Sequence, residues 1–318
     1  MANPEFRTHF AVELWAIPDV YRGASGKIRL WRDCGVRLAG RWGMPVYLNL
    51  DLSLATWLAF CMRLRGAKFL IVHSHAAQFA SPKRHWIQSM FRRLLIACAH
   101  DRIAVSQAAA SAMFGQSGCA KLLPALIDFD QLMEQSRSTV LPRSKSFTFG
   151  CIGRLDLQKN QAVLIYAIAK LRASGLNAKL LLVGDGEQHG ALLSLAASLG
   201  VEDEVSLLAA RPDIGAVYGN LLDAVLVPSV REGQCRVVAE AQFFGLPVAA
   251  SGGVPDSAFL LPSAALRHVG LTVDAWFEAM VSLLDGKLQR TPPRVVLAHQ
   301  SDLSFTHGVD RLLRILSV

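Results

Sequence analysis

Long apolar runs and a recognisable signal sequence are absent from this chain of 318 residues. The longest apolar stretches, such as Leu52–Met62, fall well short of the ~20 residues that a membrane-spanning helix needs. Met1–Phe10 contains both Glu5 and Arg7 and has no apolar core, unlike a secretory signal peptide. Internal repeats and low-complexity tracts are also missing. The sequence therefore predicts a protein that neither spans a membrane nor carries a secretion signal.

Paired cysteines are missing as well. The six cysteines, at positions 34, 61, 98, 119, 151 and 235, form no Cys-x-x-Cys motif and lie mostly in apolar runs. Structural zinc sites depend on such closely spaced pairs, whereas isolated cysteines in apolar runs are typical of buried, reduced thiols. The pattern predicts a cytoplasmic chain without a structural metal.

Acidic residues are in short supply: 25 Asp and Glu stand against 33 Lys and Arg, giving a formal charge of +8. This excess favours an acidic partner such as nucleic acid, an anionic membrane surface or a phosphorylated substrate. Nucleic acid is disfavoured because the basic residues are not interleaved with exposed aromatic residues for base stacking. Ser25–Trp42 and Arg84–Ala99 are predicted basic amphipathic helices, which either lie on an anionic membrane or pack with a solvated basic face.

Apolar residues make up 52% of the chain, and strand-like segments alternate with helix-like ones, which predicts the α/β class. The length favours two domains. Ser136–Lys145 is polar, contains proline and is predicted to be a linker. We expect an N-terminal domain over residues 1–143, a C-terminal domain over 144–290 and a helical tail over 291–318, which packs back on the first domain.

The strand and helix pattern differs between the two halves. The first half has predicted strands at Pro45–Leu50, Lys68–Val72, Ile103–Val105 and Lys121–Leu123, with Ser106 capping a helix over Gln107–Phe114. The second half alternates regularly. Its predicted strands are Phe147–Ile152, Lys179–Val183, Val205–Ala209, Ala224–Val227 and Val248–Ala250. Five strands separated by helices predict a doubly wound parallel sheet.

Two acidic residues mark the stretch from Asp223 to Asp256. Glu232 lies in the loop after the strand Ala224–Val227, and Glu240 lies in the helix predicted over Cys235–Phe244. An open α/β sheet binds its ligands at the carboxyl ends of its strands. Both carboxylates are therefore candidate ligand-binding groups.

Cations follow the first strand of the second half. Arg154 and Lys159 lie between that strand and the next helix, where free N–H groups and the helix dipole favour a diphosphate. Gly184 and Asp185 follow the second strand and keep the backbone bare there. The loop is not a Gly-x-Gly-x-x-Gly fingerprint, which disfavours a dehydrogenase. In the first half, His73 and His75 end a predicted strand and are candidates for ligand contact or for structural hydrogen bonds.

Together these motifs resemble the group 1 retaining glycosyltransferases of family 4. They occur in the order Gly-Arg-Leu-x-x-x-Lys-Asn from Gly153, Val-Gly-Asp-Gly from Val183, Pro-Ser-x-x-Glu-Gly from Pro228, Glu-x7-Glu from Glu232 and Gly-Leu-Pro-Val from Gly245. The resemblance covers Phe147–Phe259 strongly and Pro45–Asp128 weakly, where it is similar to capsular and exopolysaccharide transferases. It implies the GT-B fold, in which two Rossmann-like domains face each other across a cleft.

The resemblance also implies a role for each site residue. Arg154 and Lys159 bind the pyrophosphate of a UDP- or GDP-sugar, Glu232 contacts the transferred sugar, and His73 lies near that sugar. Glu240 accepts hydrogen bonds from the ribose. The remaining donor-binding positions belong to the loops that follow the strands: Gly153, Gly184, Asp185, Gly233, Gln234 and Cys235. Neither a cofactor nor a metal is expected. The implied acceptor is a glycan or lipid-linked precursor at the inner face of the cytoplasmic membrane.

Three departures from the family pattern keep a second interpretation open. Gly233-Gln234-Cys235 replaces the usual Gly-Phe-Gly or Gly-Leu-Pro, and Pro124–Asp128 replaces the usual Pro-Asn-Gly-Ile-Asp. The glycine-rich strand and loop that open the family's first domain are not evident, so that domain is expected to be shortened at its N-terminus. The alternative to an active transferase is a degenerate member that binds nucleotide sugars without turnover. An epimerase or hydrolase is disfavoured by the Gly-Arg and Glu-x7-Glu motifs.

Overall fold

The computed structural model describes residues 45–48, 52–64, 66–67, 69–74, 85–115, 120–124, 126–288 and 290. The helices predicted at Ser25–Trp42 and Phe305–Leu316, and His75, lie outside these residues. The numbering of helices and strands below covers the described residues. Among them, no helix combines the length and the apolar content that a membrane crossing requires.

The first four strands form a parallel sheet. The elements follow the chain as β1 (Pro45–Leu48), α1 (Leu52–Leu64), β2 (Phe69–Ser74), α2 (His85–Cys98), β3 (Asp101–Ala104), α3 (Gln107–Phe114) and β4 (Lys121–Leu122). Their order in the sheet is β1-β2-β3-β4. Leu70–Ser74 of β2 is buried throughout, as expected for a strand covered on both faces. The predicted cap of α3 is confirmed, since Ser106 Oγ accepts from the Ala109 N–H at 3.2 Å.

The second sheet has six strands. Its elements are α4 (Phe129–Ser138), β5 (Thr148–Ile152), α5 (Ala162–Ala173), β6 (Lys179–Val183), α6 (His189–Ser198), β7 (Val205–Leu208), α7 (Ile214–Asn220), β8 (Ala224–Val227), α8 (Arg236–Phe243), β9 (Val248–Ser251), β10 (Ala265–Val269) and α9 (Val273–Leu284). The order is β10-β9-β8-β5-β6-β7, and the strands pair in parallel. The predicted doubly wound parallel sheet is confirmed.

The strand order reverses between β5 and β8. From β5 the chain adds strands on one side through β7 and then returns to add β8, β9 and β10 on the other. Gly150 of β5 lies beside Val225 of β8, and a Cβ at Gly150 would lie 2.4 Å from Leu222 Cδ1. Glycine therefore makes room for a buried leucine at this pairing. A reversal of this kind is where doubly wound sheets bind ligands.

Two apolar layers cover the six-stranded sheet. Leu181 and Val183 of β6 belong to one layer, which packs against α4, α7 and α8. Leu180 and Leu182 belong to the opposite layer, which includes Trp276 of α9 and the apolar residues of α5 and α6. Because side chains alternate along a strand, a continuous apolar run supplies both layers.

Two elements differ from the sequence prediction. Ser136–Lys145 was predicted to be a linker, but α4 runs through Ser138. Asp128 caps it by accepting from the Gln131 N–H at 2.9 Å, and Phe129 and Leu132 are buried. Asn220 Nδ2 on α7 donates to Ser136 O at 3.1 Å. Residues 136–138 therefore belong to the helix α4, which contacts α7, and the linker prediction is wrong over these residues.

The sixth strand, β10, was not predicted. It is an edge strand with exposed Arg267 and His268, so it lacks the apolar run by which buried strands are identified. His268 has a positive φ of 60°, and the pairing with β9 shifts register between Leu266 and Val269. An irregular, half-polar edge gives little sequence signal.

Contacts between Cα atoms divide the chain into two compact units. One comprises residues 1–72 and 83–101, and the other comprises 73–82 and 102–318. The predicted boundaries at 143 and 290 remain predictions.

Candidate functional site

The candidate site lies where β5 and β8 end. The loop after β5 carries Arg154 and Lys159, and the loop after β8 carries Glu232. Backbone and side-chain bonds join the two loops: Val230 N–H donates to Gln158 O at 2.8 Å, and Gln158 Nε2 donates to Arg231 O at 2.9 Å. The loops are therefore held at a fixed distance from each other.

Lys159 and Glu232 form an ion pair at the centre of this arrangement. Lys159 Nζ donates to Glu232 Oε1 at 2.6 Å, and the two side chains are only 17% and 10% exposed. Ser229 Oγ donates to the same oxygen at 2.6 Å. Burial lowers the pKa of the Lys159 ammonium, but the charge and hydrogen bond of Glu232 outweigh burial and leave the pKa above its ordinary value. Lys159 is therefore charged at neutral pH.

Arg154 has a different environment although it belongs to the same motif. Its side chain is 72% exposed and pairs with Asp156 Oδ2 at 3.0 Å. Asp156 also organises the loop, because its Oδ1 accepts from the Lys159 N–H at 2.9 Å. The exposed guanidinium can move with a ligand, whereas the buried ammonium of Lys159 is preorganised.

The loops after β5 and β6 meet backbone to backbone. Gly184 has a φ of +148°, and a Cβ there would lie 2.0 Å from Gly153 O. Asp185 is exposed, its carbonyl accepts from the Leu155 N–H at 2.9 Å, and its Oδ1 accepts from the Ala210 N–H at 3.2 Å. The glycines therefore allow the close contact, and Asp185 braces the loop from outside. Binding of the nucleotide-sugar donor by Gly153, Gly184 and Asp185 remains a prediction.

Cys235 is buried in a left-handed conformation. Its φ and ψ are 59° and 73°, and it directly precedes α8 without a side-chain cap. This conformation costs a residue with a Cβ about 1–2 kcal/mol, whereas glycine adopts it freely. Burial, followed by the charge of Glu232, raises the thiol pKa, so the thiol stays neutral. A glycine at this position, as in the Gly-Phe-Gly form of the loop, would adopt this conformation without that cost.

Gly233 and Gln234 complete the loop before α8. Ser106 Oγ donates to Gly233 O at 2.5 Å, a contact between residues 127 apart in sequence. Gln234 is 9% exposed. The sequence did not identify Ser106 as a partner of this loop, because its only visible role was the cap of α3.

Glu240 is 6% exposed and has two partners. Tyr218 O–H donates to Glu240 Oε2 at 2.9 Å, and Arg236 NH2 lies 3.1 Å from Glu240 Oε1. Tyr218 and Ser229 were missed by the sequence analysis. A tyrosine in an apolar helix is ordinarily a core residue, so no sequence signal separates Tyr218 from its neighbours.

His73 lies at the carboxyl end of β2 and is 5% exposed. Its neighbour Ser74 is also buried and donates through Oγ to Ala109 O at 2.9 Å. The catalytic role expected of His73 remains a prediction. Within the described residues, no group of three or more His, Cys, Asp or Glu side chains is arranged to hold a metal ion.

Comparisons with known proteins agree with this geometry. Residues 133–258 match the family model for glycosyl transferases group 1. The chain is 27% identical to EpsF of Bacillus subtilis, described as a glycosyltransferase, over 213 residues that make up 63% of this chain and 55% of EpsF. It is 34% identical to a D-inositol 3-phosphate glycosyltransferase of Nocardia farcinica over 174 residues, 51% of this chain and 38% of that protein. The matched region thus spans about half or less of these relatives.

The fold has a solved counterpart in Anabaena HepE, whose structure was determined in complex with UDP-glucose. The two superpose with a TM-score of 0.71 at 20% identity, over 99% of this chain and 90% of HepE. This likeness shows the GT-B fold, and the family match covers the loops that carry Lys159 and Glu232 and the helix that carries Glu240. Residues 133–258 of this chain are therefore similar to the group 1 glycosyltransferases.

Proposed function

We propose that this chain is a retaining glycosyltransferase that moves a sugar from a nucleoside diphosphate sugar to a glycan or lipid-linked acceptor. The observation that carries the proposal is the Lys159–Glu232 ion pair at the reversal of the sheet. It sets a buried cation beside a carboxylate where doubly wound sheets bind phosphorylated ligands. The cation can bind a diphosphate, and the carboxylate can accept a hydrogen bond from a sugar hydroxyl.

The two cations would stabilise the leaving diphosphate. An ammonium has three N–H donors, of which Glu232 takes one. As the bond between the sugar C1 and the phosphate oxygen breaks, negative charge develops on that oxygen, and a cation already in place lowers the barrier. Lys159 supplies the fixed charge, and Arg154 reaches the same phosphates from its exposed position.

Retention follows if the acceptor attacks on the face from which the diphosphate departs. The acceptor oxygen then forms its bond to C1 while the C1–phosphate bond breaks, and the acceptor's hydroxyl proton passes to the departing phosphate oxygen. This route needs no covalent bond to the protein. Glu232 accepts a hydroxyl of the transferred sugar, and His73 lies near that sugar in the proposed complex.

Glu240 would bind the ribose of the donor. A carboxylate oxygen accepts hydrogen bonds from neighbouring hydroxyls. Glu240 lies one turn into α8, the helix that directly follows the loop of Glu232. UDP is the favoured nucleotide because HepE was crystallised with UDP-glucose, and GDP is the alternative. The donor is a substrate, and the proposal assigns no role to a metal or other cofactor.

An anionic membrane surface is the proposed site of acceptor encounter. Trp86 and Met90 on α2 are 72% and 51% exposed and lie one turn apart, with Arg93 exposed one turn further. Aromatic and basic residues on one helix face suit the headgroup region of a bilayer. We place the enzyme at the inner face of the cytoplasmic membrane, acting on a lipid-linked precursor.

Calorimetric titration with UDP- and GDP-sugars, followed by NMR of the product linkage, tests the proposal. We expect binding of one donor and a product that keeps the donor's anomeric configuration. Lys159→Ala should lower kcat/KM by at least about a hundredfold, whereas Lys170→Ala, at an exposed lysine paired with Asp274, should not. Product of inverted configuration, or a kcat/KM that Lys159→Ala leaves unchanged, would refute the assignment.

A second candidate is a nucleotide-sugar-binding protein without turnover. Cys235 holds a conformation that suits glycine, and Arg236 NH2 lies 3.1 Å from Oε1 of Glu240, the carboxylate proposed to bind the ribose. Donor binding without transfer or hydrolysis, across a panel of acceptors, would favour this candidate.

A further inference from the structure

The two oxygens of Glu240 have unlike partners. Oε2 accepts from the O–H of Tyr218 at 2.9 Å, and Oε1 lies 3.1 Å from Arg236 NH2. Tyr218 is fully buried, whereas the side chain of Arg236 is 53% exposed. One oxygen is therefore held by the protein core and the other by a surface group.

The core partner is rigid. The ring of Tyr218 stacks on Phe244 with centroids 5.6 Å apart and planes 13° apart. Burial, followed by the charge of Glu240, raises the phenol pKa well above its ordinary value, so the hydroxyl keeps its proton at neutral pH. A neutral phenol can donate one hydrogen bond, and Glu240 accepts it.

The surface partner is exchangeable. Arg236 and Glu240 lie four residues apart on α8, and half of the guanidinium side chain faces solvent. Because the guanidinium is half exposed, water can replace Glu240 as its partner at little cost. A ligand hydroxyl that approaches Oε1 can therefore replace Arg236, whereas no ligand can replace the buried phenol without opening the core.

We propose that Tyr218 is a positioning residue for recognition of the donor's ribose. Its hydroxyl fixes Glu240 through Oε2, so that Oε1 faces the ribose hydroxyls once Arg236 gives way. This inference rests on the proposed function, in which Glu240 binds ribose. It adds that discrimination between ribose and deoxyribose depends on a residue that does not touch the nucleotide.

The test compares the affinities for UDP and 2′-deoxy-UDP. The wild-type protein should favour UDP by about tenfold, the scale of one hydrogen bond to a charged group. Tyr218→Phe should bring this ratio close to one and raise KM for the donor with little change in kcat. Tyr166→Phe, at a tyrosine 44% exposed on α5, is the matched control and should keep the wild-type ratio.

The ratio of the affinities for UDP and 2′-deoxy-UDP distinguishes the role of Tyr218 from ribose binding by Glu240. If Glu240→Gln loses the discrimination and Tyr218→Phe keeps it, ribose binding by Glu240 stands and the role of Tyr218 is refuted. If the wild-type protein binds both nucleotides equally, Glu240 does not read the ribose and both assignments fail. Arg236→Gln should keep or increase the ratio, because Arg236 competes for Oε1; a loss there would contradict the exchangeable role.

A second measurement does not depend on the stability of Tyr218→Phe. 3-Fluorotyrosine placed at position 218 alone keeps the hydrogen bond and reports on it by fluorine NMR. We expect UDP to shift the resonance more than 2′-deoxy-UDP does, because only UDP supplies both ribose hydroxyls to Glu240. Equal shifts would overturn the proposal.

Discussion

Lys159 and Glu232, 73 residues apart in sequence, share a 2.6 Å hydrogen bond in which both side chains are largely buried. The bond joins the loops that follow β5 and β8, the two strands between which the strand order reverses. Glu232 keeps Lys159 charged, and the two side chains hold each other in place before any ligand arrives. Preorganised charge of this kind is what stabilises a leaving group.

Loss of the cation should reduce turnover and stability together. We expect Lys159→Ala to lower kcat/KM by at least about a hundredfold, as for removal of one preorganised donor in other enzymes. It should also lower the free energy of unfolding by about 1–3 kcal/mol, because Glu232 stays buried with one partner fewer. Steady-state kinetics and urea unfolding measure the two effects. Lys170→Ala is the control, and an equal loss there would contradict a special role for Lys159.

The same pair predicts a dependence of stability on alkaline pH. The pKa of Lys159 is raised in the folded state above its ordinary value of 10.5. The folded protein therefore retains a proton that the unfolded chain releases, and this contribution is complete below that value and is lost as the pH rises through the folded pKa. Above about pH 10.5, urea midpoints should fall more steeply for the wild type than for Lys159→Met. Parallel curves would show that the pair does not shift the pKa.

Backbone conformation at Cys235 predicts which substitutions the site tolerates. A β-branched side chain is least compatible with a left-handed residue, so Cys235→Val should lower the free energy of unfolding by about 1–2 kcal/mol more than Cys151→Val does. Cys151 is also a buried thiol but lies in the extended strand β5. Cys235→Gly should stay within about 1 kcal/mol of the wild type, since relief of strain offsets lost packing and added chain entropy. Equal effects of valine at the two positions would contradict the strain.

The two bonds of Ser106 can be separated by substitution. Ser106 accepts from Ala109 N–H as the cap of α3 and donates to Gly233 O. Ser106→Asp keeps an acceptor for the cap but has no proton for the carbonyl when ionised. We expect it to weaken donor binding by about tenfold, the scale of one lost hydrogen bond and a new repulsion, with α3 intact. Ser106→Thr keeps both functions and should bind as the wild type does; calorimetry compares them.

The strand bounds that the sequence predicted best belong to buried parallel strands. Lys179–Val183 and Ala224–Val227 match residue for residue, because both strands are covered on both faces and, apart from Lys179, are apolar. The strand at Ala265–Val269 was missed for the opposite reason, since it lies at an edge and contains the adjacent exposed residues Arg267 and His268. The helix Phe129–Ser138 was missed because its apolar face is narrow and much of the rest is polar.

For the site, the sequence located the loops but not the partners of each residue. Glu232 and Glu240 were identified by their spacing, yet their contacts with Lys159 and Tyr218 come from residues 73 and 22 positions away. A local sequence pattern does not show which distant residues come into contact. The sequence likewise treated Arg154 and Lys159 as equals, whereas the fold exposes one and buries the other.

The hydrogen bond between Ser106 and Gly233 also bears on when the site forms during folding. It closes a loop of 127 residues, and contacts this distant in sequence are costly to form before the intervening elements have condensed. The loop before α8 therefore takes its final shape late, after the six-stranded sheet has assembled around it. Nucleotide binding should lag behind the recovery of helical circular dichroism in refolding experiments, and a simultaneous return of both signals would show that the loop matures with the sheet.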